Sequence, residues 1–388
     1  MRVDRRTQIA FACALLLAPG VALAVPGLDQ GPWLGWRSET VDTRTISGGD
    51  TAIAIDPDGN EHAFYNVGVW WGQAVVHATG VPVTWTAETV WEPTETEPGQ
   101  AMGDAAIDDA GVIHIVHSWR KVVYSRFDGS WTHTVIETRP GTLTTYGAKI
   151  DLAPDGSPHI AFKASTAVRH AWKDNAGWHV ETAATSSTLG RLDIHVATDG
   201  QPVVSYEAVA SPTSSVWVAR KSATGWGSPV TVGTCASHGL ALDSADRAHL
   251  GCQSGSTITY HSETATGWTP ASLVASGFAF FPDDVELEID ANDRPHIGFR
   301  TELESTINPT RAGQPRYATL VNGAWNVETI DWDGDDNGNG LDLTLDPSGF
   351  PHVSYVIDER SSTDGCSSPT NPCFDLRVAS PLQALAGG

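Results

Sequence analysis

The stretch Asp331-Trp-Asp333-Gly-Asp335-Asp-Asn337-Gly338-Asn339 places six short oxygen-bearing side chains within nine residues. Asp333, Asp335 and Asn337 alternate and Gly338 follows, which is how a calcium loop opens: short side chains converge on one ion and glycine allows the sharp turn. The spacing predicts a structural calcium held by Asp333, Asp335, Asn337 and Asn339. Thr344 stands where such a loop places its bidentate Glu, so Asp342 or a backbone carbonyl has to complete the shell.

Three further sets of residue types have chemistry of their own. His117, His170, Tyr206 and Arg300 combine imidazole bases, a phenol and a cation that neutralises a carboxylate, which is what β-elimination of a uronic-acid polymer requires. Glu207 with Asp283 or Asp284 supplies the carboxylate pair of a glycosidase. Trp119, with Trp70 and Trp71, offers aromatic faces to a sugar ring. The chain contains no Gly-x-Ser-x-Gly elbow, no His-Glu-x-x-His pair and no phosphate-binding loop.

The elements that position these groups are set by a repeat. Variants of one phrase, such as Leu152-Ala-Pro-Asp-Gly-Ser-Pro-His159, end at His62, His114, His159, Val203, His249, His296 and His352, at intervals of 52, 45, 44, 46, 47 and 56 residues. A period of this length means a closed ring or a solenoid. Within each unit four short runs alternate apolar and polar residues, and no helical periodicity appears. The first two runs flank the repeated Asp/Gly turn as a hairpin. The third includes Val168-Arg-His-Ala171 and the fourth Trp178-His-Val-Glu-Thr182.

Four antiparallel strands per unit is the pattern of a β-propeller blade, and radial repetition leaves few exposed sheet edges. The expected fold is therefore all-β, with seven four-stranded blades. The seventh unit lacks a Gly-Trp strand, while Trp36-Arg-Ser-Glu-Thr-Val41 matches the fourth-strand pattern. The amino-terminal strand is expected to complete the last blade.

The phrases Asp-x-x-Gly-x-Pro-His, then hydrophobic-x-Tyr-Ala, then Gly-Trp resemble a repeat of secreted bacterial propellers, distantly similar to sialidase-like repeats. The resemblance spans residues 34–380 and implies the fold. Such scaffolds host lectins, hydrolases, lyases and adhesion modules, so it implies no single activity. The Ser-x-Asp-x-Gly-x-Thr-Trp box of sialidase-type repeats is absent.

Composition narrows the classes. Arg2, Arg5 and Arg6, the apolar run Ile9 to Leu23 and the small residues Ala22-Leu23-Ala24 predict a signal peptide over 1–24, cut after Ala24, and a secreted or periplasmic product with no membrane insertion. The whole chain carries 23 basic and 46 acidic side chains; removing that leader takes away three Arg and one Asp and leaves a formal charge of −25. Such a surface repels nucleic acid. Cys235, Cys252, Cys366 and Cys373 then remain, an even number suited to an oxidising compartment. Proximity favours Cys235–Cys252 and Cys366–Cys373 among three possible pairings, with a four-cysteine zinc site as the alternative.

Repeat-fixed His and Trp residues are expected to serve packing, and a site is expected where the blades differ. Second-strand ends read Asn66, Ser118, Lys163, Glu207, Gln253, Arg300 and Val356. Lys163, Glu207 and Arg300, with Trp119 and Arg120, are expected to frame an opening for an anionic or polyhydroxylated ligand. The resulting expectation is a monomeric binding module for a glycan or another surface protein. Its alternative is a carbohydrate-active enzyme, lyase before hydrolase.

Overall fold

The computed structural model describes residues 35–42, 51–68, 73–81, 84–93, 100–138, 147–210, 213–277, 285–303, 312–331, 336–358 and 374–382. Among these residues every regular element is a β-strand. The strands form seven antiparallel sheets, each running outward from an innermost strand. The innermost strands of blades 1 to 7 are Ala52–Ile55, Ala101–Ile107, Ala148–Leu152, Leu189–Val196, Ser237–Leu242, Val285–Ile289 and Asp336–Leu345. Each neighbours the next and the last returns to the first, so the ring is closed. Blade 7 takes its outermost strand, Trp36–Asp42, from the other end of the chain, where it pairs with Phe374–Pro381. The fold is the expected seven-bladed β-propeller.

Seven apolar clusters hold the ring, one at each interface between successive blades. Phe64 of blade 1 packs with Met102, Ile113 and Ile115 of blade 2, and Tyr317 of blade 6 with Leu343 and Tyr355 of blade 7. Removing one of these buried aromatics costs about 3–5 kcal/mol. In blades 4 and 5 the outer strand breaks after Trp226 and Trp268, just before Pro229 and Pro270, which cannot donate to a ladder.

The repeated histidines and tryptophans form latches. Whereas His352 of blade 7 bonds Glu61 of blade 1, in blades 1, 2, 3, 5 and 6 the hairpin histidine bonds a third-strand His or Tyr, as in His62 Nδ1 to His77 Nε2 at 2.9 Å, His114 Nδ1 to the Tyr124 hydroxyl at 2.7 Å and His159 Nδ1 to His170 Nε2 at 3.1 Å. That second ring meets the outer-strand Trp of the next blade edge-on, as in His77–Trp131, Tyr124–Trp178, His170–Trp226 and Tyr260–Trp325. The indole N–H groups of Trp131, Trp226 and Trp36 donate to Glu88, Glu181 and Glu328 of the preceding blades at 2.9–3.0 Å. These aromatics serve packing, as the sequence predicts.

The hairpin turns are closed by their aspartates. Asp56 Oδ1 accepts from the N–H groups of Asp58 and Asn60, and Asp108, Asp243, Asp290 and Asp346 repeat the arrangement. Such side-chain acceptors substitute for a backbone turn bond. Blades 3 and 4 carry Ala153 and Ala197 at this position instead. The Cys235–Cys252 disulfide forms, with its Cα atoms 5.4 Å apart, tying the entry of blade 5 to that blade's second strand. Cys366 and Cys373 lie outside the described residues.

Candidate functional site

One side of each innermost strand faces the axis of the ring. Asp104, Lys149, Asp193, Glu286 and Asp342 form one tier there, and Asp151, His195, Glu288 and Thr344 a second tier nearer the hairpins. The apolar residues between the tiers, such as Ile150, Ile194, Leu287 and Leu343, turn back into the blades. The two tiers enclose a cavity of about 220 Å³.

Four of these carboxylates have a structural duty. An innermost strand has no partner on its axial edge, so some of its N–H groups need acceptors. Asp342 accepts from Ile53 N at 2.8 Å, Asp104 from Ile150 N at 2.9 Å, Asp151 from Val196 N at 2.7 Å and Asp193 from Leu240 N at 2.9 Å. Each bond joins a blade to the next. Blade 5 has Gly239 at the corresponding position, where a Cβ would lie 2.5 Å from Leu287 N, so the backbones approach too closely for any side chain.

The remaining groups are not staples. Lys149 Nζ lies 3.4 Å from Glu286 Oε1 and 4.0 Å from Asp104 Oδ1. Arg191 reaches the same Glu286 oxygen at 3.9 Å. Burial opposes the charge on Lys149, yet Glu286, then Asp104 and Asp342, hold its pKa well above the ordinary lysine value. Burial pushes the Glu286 carboxyl up to about 8, with Lys149 pulling the other way. Burial likewise raises Asp342 and Glu288 to about 7, opposed by Lys149 and His195 respectively. His195 is raised because Asp151, 3.6 Å away, and Asp193 outweigh its burial. The channel thus offers carboxylate acceptors, protonated carboxyl donors and an ammonium at neutral pH. No three His, Cys, Asp or Glu side chains among the described residues converge as a metal site.

The described residues singled out from sequence lie on several blades, and of them only Asp342 lines this cavity. Lys163 lies beside Gly147, with its Cε 3.7 Å from where a Cβ would stand, and Glu207 covers Gly190 and accepts from Arg191 N at 3.2 Å. Gly147 precedes the innermost strand of blade 3 and Gly190 lies at the start of that of blade 4. Arg300 and Glu207 are buried; Trp119 is half-buried and Arg120 exposed, on the bend between the second and third strands of blade 2. Asn66 has become an interblade clasp, donating to Gln100 O and accepting from Met102 N. His117, Tyr206 and Arg300 stand on blades 2, 4 and 6. His117 bonds Ser125 Oγ at 2.8 Å, and burial pushes its pKa down to about 3. Asp333, Asp335, Trp70, Trp71, Asp283 and Asp284 fall outside the described residues; Asn337 and Asn339 lie in the innermost strand of blade 7. Asp342, expected to help complete a calcium shell, is directed into the channel.

Sequence reasoning missed the channel tiers. Aligned on their turns, the seven first strands place Asp104, Lys149, Asp193, Glu286 and Asp342 at one ring position.

No family model matches this chain, and no curated protein matches it in sequence. Among solved structures it is similar to YCF48 bound to D1 peptide, with a TM-score of 0.55 at 11% identity over 93% of this chain and 100% of the other. It is also similar to the six-bladed fungal lectin of Aleuria aurantia described for its fucose recognition mode, with a TM-score of 0.50 at 11% identity, 76% of this chain covering all of that one. AofleA of Arthrobotrys oligospora, solved as a triple mutant, gives 0.50 at 10% identity over 77% and 91%. At such identities the likeness is one of fold.

Proposed function

We propose that this protein is a binding module for a neutral, polyhydroxylated ligand of glycan type, engaged at the axial channel. The observation that carries this reading is the lining itself: six carboxylates with Lys149 and His195 project into one cavity. Hydroxyl groups both donate and accept, which suits a wall that mixes carboxylate acceptors with ammonium and protonated carboxyl donors. An anionic ligand would meet repulsion from the lining and from the net charge of −23. The cavity is smaller than the roughly 300–1,000 Å³ of pockets for drug-sized ligands, so it suits one ring-sized group rather than a whole polymer. The fucose recognition named for the Aleuria lectin supports only the general point that a propeller ring can carry sugars. Function outside the cytosol is part of the same proposal, supported by the leader-like first 24 residues and the disulfide.

A glycan array bearing neutral, acidic and amino sugars, followed by calorimetry, tests the reading. Binding of neutral sugars should fall at least about tenfold, or about 1.4 kcal/mol, in the Glu286→Gln/Glu288→Gln double variant. Failure of the natural chain to bind any glycan would remove the reading, and full affinity in the double variant would remove the channel as its place.

A further inference from the structure

A second concave site lies on the hairpin side of the ring, between blades 3 and 4. It is a groove of about 540 Å³ lined by His159 and Trp172 of blade 3, the turn Gly200-Gln201-Pro202, and Lys221 to Gly225 of blade 4. Its size falls within the usual range for small-ligand pockets. It also lies where the repeat is broken most. Ala153 and Ala197 replace the turn aspartates, and Val203 replaces the hairpin histidine of blade 4. Trp172 faces His159 across the ladder, where blades 1, 2, 4, 5 and 6 have Thr79, Arg126, Arg220, Ser262 and Thr319.

The proton positions in the wall of this groove follow from its hydrogen bonds. Glu181 is held below the ordinary carboxylate pKa, its burial outweighed by Lys221, His170 and Trp226, so it is an ionised acceptor. His170 Nδ1, 3.1 Å from Glu181 Oε1, must therefore donate. Burial pushes the pKa of His170 down to about 3, so the ring is neutral and its Nε2 is a lone pair. His159 Nδ1, 3.1 Å from that Nε2, must donate in turn. Burial holds His159 at about 4, so its Nε2 is a lone pair as well. In blades 1, 2, 5, 6 and 7 the corresponding Nε2 meets the turn aspartate. In blade 3 that aspartate is Ala153, and His159 Nε2 has no hydrogen-bond partner among the described residues, although the residue is only 7% exposed.

Donors line the same groove as this acceptor. Lys221 Nζ sits 4.1 Å above the Trp172 ring and bonds Glu181, which leaves it further N–H groups. The Gln201 carboxamide and the Trp172 indole N–H have no partner among the described residues, and the Ser222 and Thr224 hydroxyls lie on the rim. Because Glu181 already neutralises Lys221, the groove carries no surplus positive charge for an anion.

We infer that this interblade groove is a second binding site, for a neutral saccharide unit with adjacent hydroxyls, one donating to His159 Nε2 and its neighbour accepting from Lys221. The ligand class rests on the glycan reading above; the site itself does not.

The test uses the full chain with methyl pyranosides as probes, a methyl glucuronoside as the anionic control, and Ala153→Asp and Gln201→Ala as variants. Ala153→Asp restores the repeat and should fold, while turning His159 Nε2 toward a carboxylate. A neutral pyranoside should shift the His159 Nε2 nitrogen resonance, and each variant should weaken its binding at least about tenfold with the melting temperature held. Glycan binding that is lost in Glu286→Gln/Glu288→Gln and intact in Ala153→Asp would overturn the groove and leave the channel reading standing. Preference for the glucuronoside would overturn the neutral assignment. No binding of any sugar would overturn the ligand class in both sites.

Discussion

Blades 1 and 3 carry the same row of a carboxylate and two imidazoles and finish it differently. In blade 1 the row runs from Glu88 through His77 and His62 to Asp56, with separations of 3.1, 2.9 and 3.3 Å. In blade 3 it runs from Glu181 through His170 and His159 and stops at Ala153. One missing carboxylate changes a latch into an acceptor lining a groove. The outer end differs too: Glu88 receives His77 and Trp131, whereas Glu181 receives His170, Trp226 and Lys221.

The largest effect expected from this difference is at the outer end. Glu181→Ala leaves three donors without their acceptor and should lower stability by about 2–4 kcal/mol, while Glu88→Ala, at a more exposed carboxylate with two donors, should cost about 1–2 kcal/mol. Urea midpoints at unchanged slope measure both. Equal losses would mean that Lys221 adds nothing to the blade 3 latch.

A smaller effect is expected at the inner end. Asp56→Ala removes the acceptor of two turn N–H groups and the partner of His62, and should cost about 1–2 kcal/mol. The reverse change, Ala153→Asp, gives the turn N–H groups an acceptor but sets a carboxylate against the unprotonated His159 Nε2, so it should alter stability by less than about 0.5 kcal/mol. Should Asp56→Ala prove neutral by the same urea measurement, the turn aspartate has no latch role.

The smallest effect is in pH dependence. Burial lowers His77 and His159 to about 4, so the folded chain binds fewer protons than the unfolded chain between roughly pH 6.5 and 4. The stability contributed by these neutral rings is complete above that window and is lost as the pH falls through it. At His62 burial is the larger influence, but the nearby Asp56 offsets part of it. His159 has no such hydrogen bond. Imidazole titrations by NMR should therefore show blade 1 taking up its first proton at a higher pH than blade 3; the opposite order would contradict the assigned ends of the rows.

The period of the hairpin phrase was legible because packing demands it. Gly, His and Trp recur where each blade must turn, latch and meet its neighbour, and Trp36-Arg-Ser-Glu-Thr-Val41 could be recognised as the missing strand of the last blade for the same reason. The channel was not legible, because Asp104, Lys149 and Glu286 look like the polar half of any alternating strand until seven strands are laid side by side. Variation at second-strand ends suggests a pocket lining, yet Asn66 shows that such a position can serve a clasp between blades. The groove announced itself only in part. Val203 and Ala153 visibly break the phrase, but their meeting with Trp172 and Lys221 depends on how one blade stacks on the next.

The pairing of Trp36–Asp42 with Phe374–Pro381 also sets a schedule for the chain. The strand that leaves the ribosome first in this ring has no partner until the last strand has been made, so its backbone groups wait through the synthesis of six other blades. Contacts so distant in sequence are slow to form. Until then a partial ring presents open edges, which are prone to pairing with other chains. The final joining is thus a kinetic checkpoint: it separates finished molecules from those still able to aggregate.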